Sequence, residues 1–341
     1  MSDKKNNPSI LDRPTARPLR ARDAIVVIFV TVILLAILKG NSVTRVGDTL
    51  KPGVQRDVVL AVGHPAGWIA DLFGVDDDVG KLTASLSPDQ SLSGGGGFDD
   101  PATAGADSSA VAPLTPDAFD PSMLGEKTTP IPKLSTVLVT GDSLSQPLDV
   151  ELAQRLASKG VKTIRDPHLG TGISNTDLLD WGQLSQQQVK KDKPDAIVFF
   201  LGANEGFPLP KGKGKSAACC GPLWASLYAT RVRKMMATYR QGRNNRVYWL
   251  TLPMPRDAER QKIARAVNAT IIAAAQPYRA QVRVVDMGFF TPGGKYRASM
   301  PVNGKDTLVR KPDGIHLNED GAAVAADVVM DRLKTDYTSV R

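Results

Sequence analysis

From residue 134 to the C-terminus, short apolar runs alternate with stretches whose apolar positions recur every three to four residues. The runs predict strands at 134–140, 161–165, 195–201, 246–251 and 282–287. The periodic stretches predict helices at 146–158, 175–190, 222–241, 257–276 and 319–335. The strands are nearly continuous in apolar residues, AIVFFLG from Ala196 to Gly202 being typical, as in a parallel sheet covered on both faces. In 222–241 the stripe Trp224, Tyr228, Val232, Met235 or Met236, and Tyr239 reads as a core face. This alternation predicts one α/β domain over 134–341, with three layers, a five-stranded parallel sheet and right-handed crossovers. Residues 293–311 break the alternation. There Lys295-Tyr296 and Leu308-Val309 flank Asn303-Gly304, a type I′ hairpin signal.

Upstream the pattern changes character. Residues 1–23 are polar and rich in proline and arginine, the composition of a disordered basic tail. Residues 24–39 contain the uncharged run AIVVIFVTVILLAIL, short for a spanning helix but flanked by Arg22 and Lys39, which can snorkel. We read it as a transmembrane signal anchor with a cytoplasmic N-terminus, the alternative being the apolar region of a cleaved signal peptide. Residues 40–83 hold a juxtamembrane helical pattern, with Val58, Val62, Trp68, Ile69, Leu72 and Phe73 on one face. Residues 84–133 are rich in Gly, Ser, Pro, Asp and Ala and predict a disordered linker.

Charge and composition narrow the chemistry. The net charge of +8 over 341 residues is spread along the chain and forms no basic stripe interleaved with aromatics, which argues against nucleic-acid binding. Three histidines (His64, His168, His316) and two adjacent cysteines (Cys219, Cys220) form no cluster with metal-ligand spacing, so neither a metal nor any other cofactor is expected. Adjacent cysteines rarely pair with each other without strain.

In an open parallel sheet, ligands bind beyond the carboxyl ends of the strands. After the first predicted strand comes Gly141-Asp142-Ser143, with Ser143 expected in the first turn of the following helix. An N-cap serine without chemistry is the plainer reading of that stretch alone. After the second strand comes His168-Leu169-Gly170-Thr171-Gly172, after the third Gly202-Ala203-Asn204-Glu205, and after the fifth, beyond the hairpin, Asp313-Gly314-Ile315-His316. Together these supply what acyl transfer needs. Ser143 is the nucleophile and His316 the general base, three residues after the Asp313 that orients it. The Ser143 N–H, the Gly172 N–H and the Asn204 amide are the oxyanion donors.

These four segments resemble the conserved blocks of the SGNH hydrolases, also called the GDSL esterase/lipase superfamily: Gly141-Asp142-Ser143-Leu144, a glycine, Gly202-Ala203-Asn204, and Asp313-Gly314-Ile315-His316. The stretches GTGISNTDLLDW, FFLGANEG, VYWLTLPMPRD and GGKYRASMPVNGKDTLVRKPDGIHL are similar to a bacterial, membrane-anchored, exported branch of that superfamily. The resemblance implies a flavodoxin-like fold over 134–336 and the triad Ser143, Asp313 and His316. Gly172, rather than Gly170, is taken as the second-block glycine because of its distance to the LLDW segment. Where the third block usually continues with Asp, this chain has Glu205, a residue expected to be structural.

The resulting expectation is an extracytoplasmic serine esterase or O-deacetylase, with an acylated envelope glycan as substrate and the membrane as a partner through the N-terminal helix. Two rivals stand beside it: an O-acyltransferase using the same triad, and a non-catalytic envelope-binding module. The basic insertion 210–221 reads as a solvated loop, with a lid or glycan contact as the alternative. His168 reads as a surface-loop histidine. Lys295, Arg297, Arg310 and Lys311 are read equally as a solvated charged hairpin or as a contact for an anionic polymer.

Overall fold

The computed structural model describes residues 129–341 except 212–214 and 241–244, together with positions 22, 92, 97–98, 110–116, 118–120 and 124. Apart from Arg22, all of these lie in the unit Thr83–Arg341. The expected span at 24–39 and the helical segment at 40–83 fall outside the described residues. Among the described residues no helix is long and apolar enough to cross a membrane.

Five parallel strands form the centre of the domain: β1 (Thr136–Gly141), β2 (Lys162–Pro167), β3 (Ala196–Phe200), β6 (Arg246–Leu250) and β7 (Val282–Val285). Their order is β2-β1-β3-β6-β7. The interior strands β3 and β6 are buried throughout, and β1 everywhere except Thr136, which is why they carry continuous apolar runs. The edge strand β2 tolerates Lys162, Arg165 and Asp166 because one side meets solvent. In register, Gly141 lies opposite both Pro167 and Phe200, so β1, β2 and β3 end level and open their loops on one rim.

Among the described residues five helices cover the sheet: α1 (Leu148–Ala157), α2 (Trp181–Asp192), α3 (Pro222–Tyr239), α4 (Ala258–Ala275) and α5 (Glu319–Asp336). α1 packs on α5, while α2, α3 and α4 lie side by side. Right-handed crossovers from this strand order place the two groups on opposite faces. The expected apolar stripe of α3 is buried, and Trp181, Phe199, Trp249 and Tyr239 pack ring against ring beneath it. α2 starts later than its periodicity suggested. Asp180 caps it by accepting from Gln183 N, and the residues before it form a loop turned between Gly172 and Asn175. The hairpin is present as β8 (Ser299–Val302) and β9 (Lys305–Leu308), with positive φ at both Asn303 (51°) and Gly304 (78°), as a type I′ turn requires.

Two expectations are corrected here. In the stretch 84–133 read as a disordered linker, the described positions Leu92, Phe98, Leu114, Phe119 and Leu124 pack against the core. Phe98 N donates to Asp180, Lys234 Nζ donates to Gly97 O at 2.6 Å, and the Arg231 guanidinium sits over the Phe98 ring. Aromatic side chains too sparse to build a core of their own are thus absorbed by that of the domain. The second correction concerns Cys219 and Cys220, which are joined in a disulfide and lie partly buried against the core. The insertion that holds them includes a small antiparallel pair, β4 (Leu209–Pro210) and β5 (Ser216–Ala217), with Leu209 and Ala217 buried and Lys211 and Lys215 exposed.

Candidate active site

Ser143 does not open α1. It begins a 3₁₀ turn, Ser143–Ser145, set between the end of β1 and α1. Asp142 caps this turn, its Oδ1 accepting from Leu144 N at 2.8 Å. The turn can form only behind a glycine. Gly141 has φ 141°, and a Cβ there would lie 2.0 Å from the Phe200 carbonyl oxygen of the neighbouring strand.

The Ser143 hydroxyl lies 2.7 Å from His316 Nε2, and His316 Nδ1 lies 2.7 Å from Asp313 Oδ2. An ionised carboxylate only accepts, so Nδ1 carries the proton and Nε2 presents its lone pair to the serine. Asp313 Oδ1 also accepts from Ile315 N (2.8 Å) and His316 N (3.0 Å). Burial pushes the Asp313 carboxyl up, but these two N–H groups and the His316 ring outweigh it and hold the group below its ordinary range.

Two of the expected oxyanion donors, Gly172 and Asn204, lie on neighbouring segments. Gly172 is paired with Asn175 in an antiparallel bridge, and Asn175 N donates to Gly172 O at 3.2 Å. Asn204 Nδ2 donates to Thr171 O at 3.2 Å and lies 3.5 Å from Asp142 Oδ2. Gly172 meets the third block closely: a Cβ on it would come within 3.0 Å of Asn204 O and 3.2 Å of Glu205 Oε1, whereas Gly170 faces open space.

Two buried carboxylates hold these donors in place. Asp142 Oδ2 accepts from Gly202 N (2.9 Å) and Ala203 N (2.8 Å), tying the serine turn to the loop that carries Asn204. Glu205 accepts from Ile173 N (2.6 Å) and Ser174 N (2.9 Å), tying that same loop to the segment that carries Gly172. Burial pushes the Asp142 carboxyl up to about 6 against the pull of its three backbone donors, with the Glu205 charge adding to the rise. Burial also raises the Glu205 carboxyl. Glu205 is thus structural, as expected. The clamp made by Asp142 is not visible in the sequence, because its partners lie 60 residues away.

A further segment reaches the site. Beyond β6, Arg256 Nη2 donates to Pro312 O (2.7 Å), and Arg256 N donates to Gly314 O (2.9 Å). Arg260, on the first turn of α4, donates to Ala203 O (2.8 Å). The sequence carries a signal for this segment: residues 253–257, PMPRD, stand just past the carboxyl end of a strand, where site loops lie in such a sheet.

Arg310 does not belong to the exposed basic group. It is 1% exposed, donates to Ile315 O at 2.9 Å, and lies beneath the Tyr296 ring at 5.3 Å. Burial draws its guanidinium down to about 10. Lys295 and Arg297 are exposed as expected. His168 is not a free surface residue: it packs edge-on against Trp181 at 5.5 Å, and its Nε2 lies 3.3 Å from Asp166 Oδ1. No group of three or more His, Cys, Asp or Glu residues that could hold a metal ion occurs among the described residues.

A parallel sheet of this order, with a Ser–His–Asp relay assembled on the loops beyond its strand ends, is an α/β fold whose side chains are arranged as nucleophilic acyl transfer requires. The chain belongs to the family described as "Protein of unknown function (DUF459)", which matches residues 136–332. Three solved structures are similar in outline. An acetyl xylan esterase, AlAXEase, is 18% identical over 58% of this chain and 99% of its own, with a TM-score of 0.38. Est24, a carbohydrate acetylesterase from Sinorhizobium meliloti, is 14% identical over 59% of this chain and 98% of its own, with a TM-score of 0.40. The C-terminal catalytic domain of peptidoglycan O-acetyltransferase A from Streptococcus pneumoniae is 11% identical over 60% and 94%, with a TM-score of 0.37. No curated protein matches the chain.

Proposed function

We propose that this protein is an extracytoplasmic serine esterase that removes acyl groups from cell-envelope carbohydrate. The observation that carries the chemistry is the unbroken relay Ser143 Oγ–His316 Nε2–Asp313, with 2.7 Å at each step. The Ser143 oxygen adds to the ester carbonyl carbon while His316 Nε2 takes its proton. The carbonyl oxygen becomes an oxyanion facing Ser143 N, Gly172 N and Asn204 Nδ2. One Asn204 hydrogen is committed to Thr171. The other has only the 3.5 Å approach to Asp142, a contact that a developing negative charge outcompetes. The carbon–oxygen bond to the sugar then breaks, and His316 returns the proton to the leaving hydroxyl. Water attacks the acyl-serine, gives its proton to His316, and releases the carboxylic acid with Ser143 restored. The carbohydrate substrate and the location rest on the predicted anchor and the family resemblance rather than on the site.

The purified chain should release p-nitrophenol from p-nitrophenyl acetate and acetate from acetylated glycan, and Ser143→Ala should abolish both. Equal rates in mutant and wild type would overturn the assignment. With a donor ester and an unacylated glycan both present, transfer outrunning hydrolysis would make the protein an acyltransferase.

A further inference from the structure

Thr171 lies in the loop after β2, one residue before Gly172, and is buried. Its hydroxyl receives the indole N–H of Trp181 at 3.1 Å and donates to His168 O at 2.6 Å. Its carbonyl oxygen accepts from Asn204 Nδ2 at 3.2 Å. We propose that Thr171 and Trp181 are positioning residues for the reaction: together they hold the carbonyl group that fixes which end of the Asn204 amide is offered to the oxyanion. The inference rests on the esterase reading and on Asn204 as an oxyanion donor.

An asparagine amide turned over keeps its shape, but its two ends have opposite hydrogen-bonding roles. With its oxygen toward the substrate, the side chain would repel a developing negative charge. The neighbours of the amide therefore decide whether it serves the reaction. Thr171 O and the Asp142 carboxylate both accept, so both select the nitrogen end, and Thr171 O is the closer, at 3.2 Å against 3.5 Å. A carbonyl group is only as fixed as the backbone that carries it, and here the hydroxyl of the same residue does the fixing. An indole N–H can only donate, so the Thr171 oxygen must accept from Trp181 and its hydrogen must go to His168 O. Trp181 is itself immobile. It is fully buried, opens α2 behind the Asp180 cap, and packs edge-on against Phe199 of β3 at 5.2 Å. The link thus runs from the middle of the sheet through the indole to the threonine hydroxyl, and across that residue's own backbone to the Asn204 amide. Donors that stabilise a transition state must be held in place in this way before charge develops.

The experiment measures kcat and KM of the full chain on p-nitrophenyl acetate, per active site titrated with a fluorophosphonate. The variants are Thr171→Val, Thr171→Ser and Trp181→Phe, each alone and combined with Asn204→Ala. Thr171→Val should lower kcat about tenfold or more with KM little changed, since a displaced donor weakens only the interaction with the developing charge. Thr171→Ser, which keeps the hydroxyl, should recover most of that loss, and Trp181→Phe should lower kcat in the same sense. In the Asn204→Ala background, Thr171→Val and Trp181→Phe should each cost less than about twofold, because the group they position is gone. A hydroxyl that merely satisfies the buried indole would lower the thermal midpoint and leave the kcat of each titrated site unchanged, or lower it equally in both backgrounds. Either result would overturn the positioning role alone. If Thr171→Val does not fold, Trp181→Phe in the two backgrounds decides the same question. Absence of all ester hydrolysis in wild type, with no fluorophosphonate labelling of Ser143, would overturn the hydrolase reading and the positioning role with it.

Discussion

The two halves of the site are built on opposite principles. The donor half, Ser143 N, Gly172 N and Asn204, stands on Asp142 and Glu205, which are almost completely buried and saturated with backbone N–H groups from distant loops. The base half, Asp313 and His316, lies on a surface turn. Its side chains are 43% and 22% exposed, and most of its hydrogen bonds join residues two or three apart. A buried carboxylate is tolerated only when several donors receive it, and it then fixes whatever carries those donors. Donors that must already be in place when charge develops need that rigidity. The base is held locally instead, by Asp313 at its Nδ1 and at its own backbone N–H. Arg256 and Arg310 brace the base half by its carbonyl groups.

Substitutions at the two carboxylates should separate these halves. Asp313→Asn should lower kcat by about 10⁴-fold, because an amide facing Nδ1 favours the wrong tautomer, while the thermal midpoint barely moves. A midpoint drop comparable to that of an Asp142 variant would break the contrast. Asn204→Ala should cost about 10²–10³-fold in kcat with little change in KM, since its donor acts on the developing oxyanion. A rise in KM with kcat unchanged would move Asn204 from transition-state to ground-state binding.

The smallest expected effect is on stability against pH, and its sign differs between the halves. The unfolded chain releases the Asp142 proton near 3.8, but the folded protein keeps it up to about 6. Between these values this group's contribution to stability falls as pH rises, by about 3 kcal/mol in total. Asp313 is held low, so its contribution is present above the ordinary carboxylate range and is lost as pH falls through its lowered value. Thermal midpoints from about pH 3.5 to 7 should show that Asp142→Asn removes the first slope and Asp313→Asn the second. That Asp142 variant should also be less stable at pH 7, since its amide hydrogens would face backbone donors. Identical slopes in wild type and both variants would dissolve the distinction.

Much of this arrangement was legible along the chain. Apolar runs located the strands of the main sheet, continuous at β3 and interrupted by polar residues at β2, and Asn303-Gly304 marked the hairpin. The rule that sites lie beyond strand ends points to the loops that carry Ser143, Gly172, Asn204, Asp313 and His316, and three of these, Ser143, His316 and Asp313, are in hydrogen-bond contact. Periodicity failed where local capping overrode it: α2 waits for Asp180, and Ser143 sits in a 3₁₀ turn ahead of α1. It was also silent on Arg310. A cationic residue in a run of Lys and Arg reads as solvated until carbonyl groups and a tyrosine ring are found around it.

By itself the sequence determined what depends on neighbours a few residues apart: strand runs, helix faces, the two-residue turn, and an aspartate placed to meet a histidine three positions on. Only the tertiary structure decided what depends on contacts across the sheet. These include the sharing of Asp142 and Glu205 among three loops, the entry of the segment beyond β6, and the packing of Phe98 on the domain. The physical reason is that residue type fixes which bonds and surfaces a side chain can offer. Which distant backbone group accepts the offer is settled only when strand order and register bring it within about 3 Å.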